Sequence, residues 1–213
     1  MGSARISTAF LLKALLAVAV AEAGATALAA VVPLPRLWLI AATRTVQLAA
    51  VLALAHGQAG GWQMLGLDRS TLAPGIRHGL VWSAGFAAAA GLMFLGLFMA
   101  DQNPITMIRS PLPAAPADKA LFFFVGGILA PVAEEAVFRG LIFGYLRRWG
   151  LIAAILVSTV LFAALHLPTI PVTQIIGGVV FALAYHTGGS LMAPVVIHTL
   201  GNLAIFALSL FAA

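Results

Sequence analysis

Long apolar runs, broken at intervals by short polar clusters, set the pattern of this chain. About 20 apolar residues suffice for a helix to cross a bilayer, and seven such segments are expected. The first covers residues 8–32 and ends at Pro33-Leu34-Pro35-Arg36; the second covers 37–55. Residues 56–78 read as a polar loop holding Gly60-Gly61, Asp68, Arg69, Arg77 and His78. A third span follows over 79–100, rich in the Ala and Gly that allow close helix packing in lipid. Residues 101–118 form the longest polar connection, with Pro104, Pro111, Pro113 and Pro116. The fourth helix starts near Lys119 and continues to about Trp149, too long for a simple span. Pro131 in its middle removes a backbone donor, so a kink is expected there. The fifth covers 151–166 and stops at Pro168, and the sixth covers 172–186. Thr187-Gly188-Gly189 reads as a break, with Ser190 a candidate cap for the seventh helix, which ends near Phe211.

Composition agrees with this pattern. Of 213 residues, 62% are hydrophobic and 8% charged, against about 25% charged in an ordinary soluble domain. The fold class this implies is all-α, a polytopic transmembrane helical bundle of about seven spans. One membrane domain is expected, with residues 1–118 as N-terminal helices and polar connection and residues 119–213 as the part that carries motifs. The formal net charge of +5 comes from basic residues scattered singly, apart from Arg147-Arg148. That is the distribution of loop charges that orient spans, not of a nucleic-acid surface. With a cytoplasmic N-terminus, Arg5, Lys13, Arg69, Arg77, Arg147 and Arg148 fall on that side and Arg36, Arg44, Arg109 and Lys119 on the other. The absence of cysteine excludes disulfides, thiolate metal sites and a cysteine nucleophile. The start, through Ala29-Ala30, has the look of a signal peptide, but Lys13 and Glu22 interrupt its apolar run and a retained first helix is expected. A prokaryotic inner membrane suits this low charge and high hydrophobicity.

Against that background the stretch Pro131-Val132-Ala133-Glu134-Glu135-Ala136-Val137-Phe138-Arg139-Gly140 stands out. Each charge in a span costs roughly 2.5–3.5 kcal/mol on insertion scales. Three pairs lie four residues apart: Glu135 and Arg139, Phe162 and His166, His198 and Asn202. That spacing puts both members on one helix face. Glu135 before Arg139 is the favourable order for an ion pair, so the two are assigned to each other. Glu134 points about 100° away and has no partner in its own turn. A bundle can gather Glu134, His166, His198 and Asn202 round one cavity. There Glu134, assisted by His166, can take a proton from water, while His198 and Asn202 can donate hydrogen bonds to a developing oxyanion.

The series Glu134-Glu135-x-x-x-Arg139, Phe162-x-x-x-His166 and His198-x-x-x-Asn202 resembles the CPBP family, the CAAX-processing and bacteriocin-processing intramembrane proteases of glutamic type, also called ABI. The resemblance covers roughly residues 119–204. It implies a four-helix catalytic core in the C-terminal half and an endopeptidase that uses no metal or other cofactor. By motif it implies Glu134 and His166 as water activators, His198 and Asn202 as oxyanion donors, and Glu135 and Arg139 as a supporting pair. The implied partner is a membrane-anchored protein or peptide substrate; prenylated tails, bacteriocin leaders and C-terminal sorting tails all stay open.

Plainer readings stand beside these. Glu135 and Arg139 can be a structural ion pair, His166 a helix-end residue, and His198 with Asn202 a hydrogen-bonded clasp between helices. Phe162 reads as packing. Glu22, alone in the first span, faces a cavity or pairs with Lys13 or Arg44. The rival functions are a zinc protease built on the same glutamates and histidines, a serine protease using Ser190 and His198, and a transporter or non-catalytic immunity protein. An aspartyl mechanism lacks its residues, since Asp68, Asp101 and Asp118 fall in loops or at span ends.

Overall fold

The computed structural model describes residues 5–166 and 172–211, and over them the chain is helical throughout. The helices are α1 (Thr8–Val31), α2 (Arg36–His56), α3 (Gly61–Met64), α4 (Arg69–Met99), α5 (Pro104–Ile108), α6 (Pro116–Trp149), α7 (Leu151–Ala164), α8 (Val172–Gly188) and α9 (Met192–Ser209). Five of them, α1, α2, α4 with the short α3 before it, α6 and α9, are long and apolar enough to cross a membrane. The apolar helices α7 and α8 have 14 and 17 residues. These seven helices fall on the seven expected segments, five of them long enough to cross, and the chain is an integral, multi-pass membrane protein. Large apolar side chains such as Leu16, Leu92, Met99, Leu156 and Val160 point outward, as a lipid-facing surface requires.

Two boundaries differ from the sequence expectation. The polar loop is shorter than 56–78, because α4 begins at Arg69. Asp68 is the reason: its carboxylate accepts the Ser70 backbone N–H at 2.9 Å and so caps the helix. Gly75 and Gly79 then let this first part of α4 lie flat on the start of α9. A Cβ at Gly79 would stand 2.7 Å from the Ala193 carbonyl oxygen, and one at Gly75 would meet the Ser190 hydroxyl. Likewise α6 begins at Pro116, with the proline in the first turn where its missing N–H costs nothing. Pro168 lies outside the described residues.

Helix α6 runs without a break across Pro131 but changes its winding on both sides of it. Val125–Leu129 is a π turn, in which the Ala130 N–H reaches back five residues to Val125. Ala136–Phe143 is a second, closed by Gly144 N–H to the Arg139 carbonyl. The disturbance expected at Pro131 thus takes the form of a wide turn just before it. Glu134 and Glu135 sit on the short α-helical piece between the two π segments, an arrangement frequent at functional sites.

Around α6 the hairpin α1–α2 packs on one side, α7 and α8 on another, and α9 closes the bundle, with α4 outside α8 and α9. The Thr187-Gly188-Gly189 break is a tight turn. Gly189 adopts φ +62, and the Ser190 hydroxyl accepts from Met192 N–H at 3.3 Å.

Candidate active site

A few polar residues lie within the apolar core. Glu135 and Arg139 have no exposed surface at all. Arg139 Nη1 donates to Glu135 Oε1 at 3.0 Å, so the i, i+4 pair is formed. Arg139 Nη2 donates to the Gly178 carbonyl on α8 at 3.1 Å. This contact needs a close helix approach, and a Cβ at Gly178 would lie 2.8 Å from the Thr159 methyl of α7. The guanidinium lies 4.7 Å from the Phe162 ring centre and 5.1 Å from that of Phe181, within cation–π range. Phe162 is therefore more than filler, since it is one wall of the arginine's cage.

Glu135 has a second partner that spacing along one helix could not reveal. His198 on α9 places Nδ1 2.8 Å from the same Oε1. An oxygen that already accepts from Arg139 is a carboxylate oxygen, so Nδ1–H is the donor. The imidazole is thereby fixed in orientation, and its face stacks on Phe181 at 4.7 Å with 20° between planes. Its other nitrogen, Nε2, lies 3.9 Å from Glu134 Oε2. That separation exceeds a hydrogen bond and is one a water can bridge. Glu134 keeps 18% of its side chain exposed, whereas Glu135 keeps none. The two adjacent acids thus have different surroundings, one locked and one accessible.

Asn202, one turn beyond His198, donates Nδ2 to the Gly126 carbonyl at 2.8 Å. Gly126 belongs to the first π turn, so Asn202 ties α9 to the widened part of α6 and retains a second amide N–H. His166 follows the end of α7, and its Nδ1 lies 2.9 Å from the Phe162 carbonyl. A carbonyl only accepts, so Nδ1 carries the proton and donates it there. The Phe162 ring touches both histidines, with centres 5.0 Å from His166 and 5.7 Å from His198. Both imidazoles therefore stand on one side of the bundle, bracketing one phenylalanine.

A further residue arrives from the front half. Arg44 on α2 sets Nε 3.9 Å from Glu134 Oε1 and Nη1 3.1 Å from Glu22 Oε2 on α1. Glu22 thus pairs with Arg44. Counting Arg44 with the loop charges that set orientation was incorrect, because it lies inside α2 and is only 27% exposed. Two lone opposite charges in successive spans were the available signal. The Ser190 hydroxyl caps α9 and packs against Gly75. Among the described residues no three His, Asp or Glu side chains are grouped as metal ligands.

Comparison with known proteins bears on the segment that carries these motifs. Residues 116–204 match the family described as type II CAAX prenyl endopeptidase Rce1-like. This segment is similar to the CAAX proteases. The membrane-embedded CAAX protease MroQ of Staphylococcus aureus (strain USA300) is 38% identical over 90 residues, which is 38% of this chain. The chain matches only about a third of that relative's length, 36%. No solved structure matches this chain. The matched segment contains α6 to most of α9 and every motif residue. Glu22 and Arg44 lie outside it.

Proposed function

We propose that this protein is an intramembrane endopeptidase of glutamic type, which cuts a peptide bond of a membrane-associated protein or peptide. The observation that carries the reading is the unequal pair of acids: Glu135 is held by Arg139 and His198, while Glu134 faces His198 Nε2 across 3.9 Å and remains partly accessible. A water between them is within reach of a base, as general-base catalysis requires.

In this mechanism Glu134 takes a proton from that water while the oxygen attacks the carbonyl carbon. His166, on the same side of the bundle as His198, assists by orienting the water. The carbonyl oxygen gathers negative charge and is met by donors on α9, the second N–H of Asn202 and Nε2–H of His198. With Nδ1–H committed to Glu135, His198 donates from Nε2 only as an imidazolium, with a carboxylate near each ring nitrogen. Collapse breaks the C–N bond, and Glu134 returns its proton to the leaving amine.

The test uses the full chain in proteoliposomes with two peptides, a farnesylated CAAX tail and a membrane-anchored amphipathic leader, and mass spectrometry of products. Wild type is expected to cleave one of them, and Glu134→Gln is expected to lose a factor of about 10² to 10⁴ in rate. Cleavage undiminished in Glu134→Gln would refute the mechanism. Retained cleavage with loss on chelation would favour a metalloprotease.

A further inference from the structure

The polar cluster of α1 and α2 has no place in the motifs of the matched segment, yet it reaches the accessible acid. Arg44 is held by two side chains. Its Nη1 donates to Gln47 Oε1 at 2.7 Å and to Glu22 Oε2 at 3.1 Å. Gln47, itself buried, donates Nε2 to the same Glu22 oxygen at 2.8 Å and to the Val18 carbonyl at 3.3 Å. These contacts fix the guanidinium, leaving Nε buried without a hydrogen-bond partner and 3.9 Å from Glu134 Oε1. A guanidinium needing only to neutralise Glu22 would be complete without that approach.

We propose that Arg44 is a positioning residue for Glu134, and that the α1–α2 hairpin is thereby a working wall of the site. The proposal rests on the endopeptidase reading for its kinetic consequence but not for its geometry. Arg44 holds one carboxylate oxygen, Oε1, from the α2 side. The other, Oε2, is left turned toward His198, where the attacking water stands. Glu22 and Gln47 act one step further out, through Arg44.

Two measurements separate this from a hairpin held together by its own ion pair. The first is kinetic, with whichever peptide wild type cleaves. Arg44→Gln should lower kcat by roughly tenfold or more with KM little changed, as for an interaction used mainly in the transition state. Arg44→Lys should recover part of that loss. Glu22→Gln combined with Arg44→Gln restores charge balance within the hairpin and should regain thermal stability, but not kcat. Recovery of kcat in that double variant would overturn the proposal. The second needs no substrate. Thermal unfolding in detergent of Arg44→Gln, Glu134→Gln and their combination forms a double-mutant cycle. Non-additive shifts in Tm are expected, and additive ones would overturn the contact itself. If wild type cleaves neither peptide, the function reading fails while the cycle still decides for or against the contact.

Discussion

Glu135 anchors the buried ion pair, and its removal should damage the fold. It is fully buried and serves two donors, Arg139 and His198, with one oxygen. Breaking one side of a buried pair leaves an uncompensated charge, which costs about 3–5 kcal/mol in soluble proteins. Glu135→Leu is therefore expected to lower thermal stability in detergent by that order. Glu135→Leu with Arg139→Leu should be markedly more stable than the single variant, because no charge is stranded. Cleavage should be lost in both, since His198 loses its orienting acceptor. The relation of Glu135 to Arg139 was legible from a spacing of four, which fixes neighbours within one helix. Neither His198 on Glu135 nor Arg44 near Glu134 could be read that way, because each crosses from one helix to another. Periodicity gives a helix its faces and does not say which faces meet.

Helix ends and windings show the same limit at the level of elements. The apolar runs predicted seven helices correctly because burial in lipid demands continuous hydrogen-bonded helix wherever the chain is apolar. They could not place the start of α4, where a polar decapeptide is helical because Asp68 caps it and two glycines fit it to α9. Nor could they show the π turns of α6, since Pro131 announces a lost donor but not how the neighbouring turns absorb it. The Asp68 cap carries a prediction. Hydrogen bonds from the Ser70 side chain, then from the Ser70 backbone N–H and the Gln63 side chain, hold its carboxyl below the usual carboxylate range. A depressed folded-state pKa means that the ionised cap stabilises the fold above the unfolded value, near 4. That contribution fades as pH falls through the lower, folded value. Asp68→Ala should lower Tm at neutral pH, and the gap to wild type should narrow as the pH drops below about 4. A gap that stays constant over that range would mean that the charge plays no part in the cap.

Taken as a whole, the molecule sorts its loop charges by end. The contacts fix which ends lie together. The Arg148 guanidinium donates to the Ile6 carbonyl, Thr8 shares a hydrogen bond with Tyr145, and Leu191 N–H reaches the Gly66 carbonyl. At the opposite end Ser110 N–H donates to Ser209. Of the eleven Lys and Arg residues, Arg44 and Arg139 are spent inside the bundle, which leaves nine. Arg5, Lys13, Arg69, Arg77, Arg147 and Arg148 belong to the first end, six in all. Arg36, Arg109 and Lys119 belong to the second, three in all. Removing Arg44 from the orienting set sharpens the bias, and the positive-inside rule then predicts a cytoplasmic N-terminus. Helix α7 leaves the first end and is only 14 residues long, about 21 Å at 1.5 Å per residue. The hydrocarbon core is about 30 Å thick, so the expected position of His166, two residues past the end of α7, is at intramembrane depth. Because the chain has no cysteine, single-cysteine labelling can test the arrangement directly. Gln58→Cys, in the exposed turn between α2 and α3, should react with an impermeant maleimide only after bacterial cells are permeabilised. Gln102→Cys, in the exposed turn after α4, should react in intact cells. The opposite result would invert the molecule and with it the side from which a substrate approaches His166. Labelling of both in intact cells would instead break the parity of spans between α2 and α4, on which the grouping of charges depends.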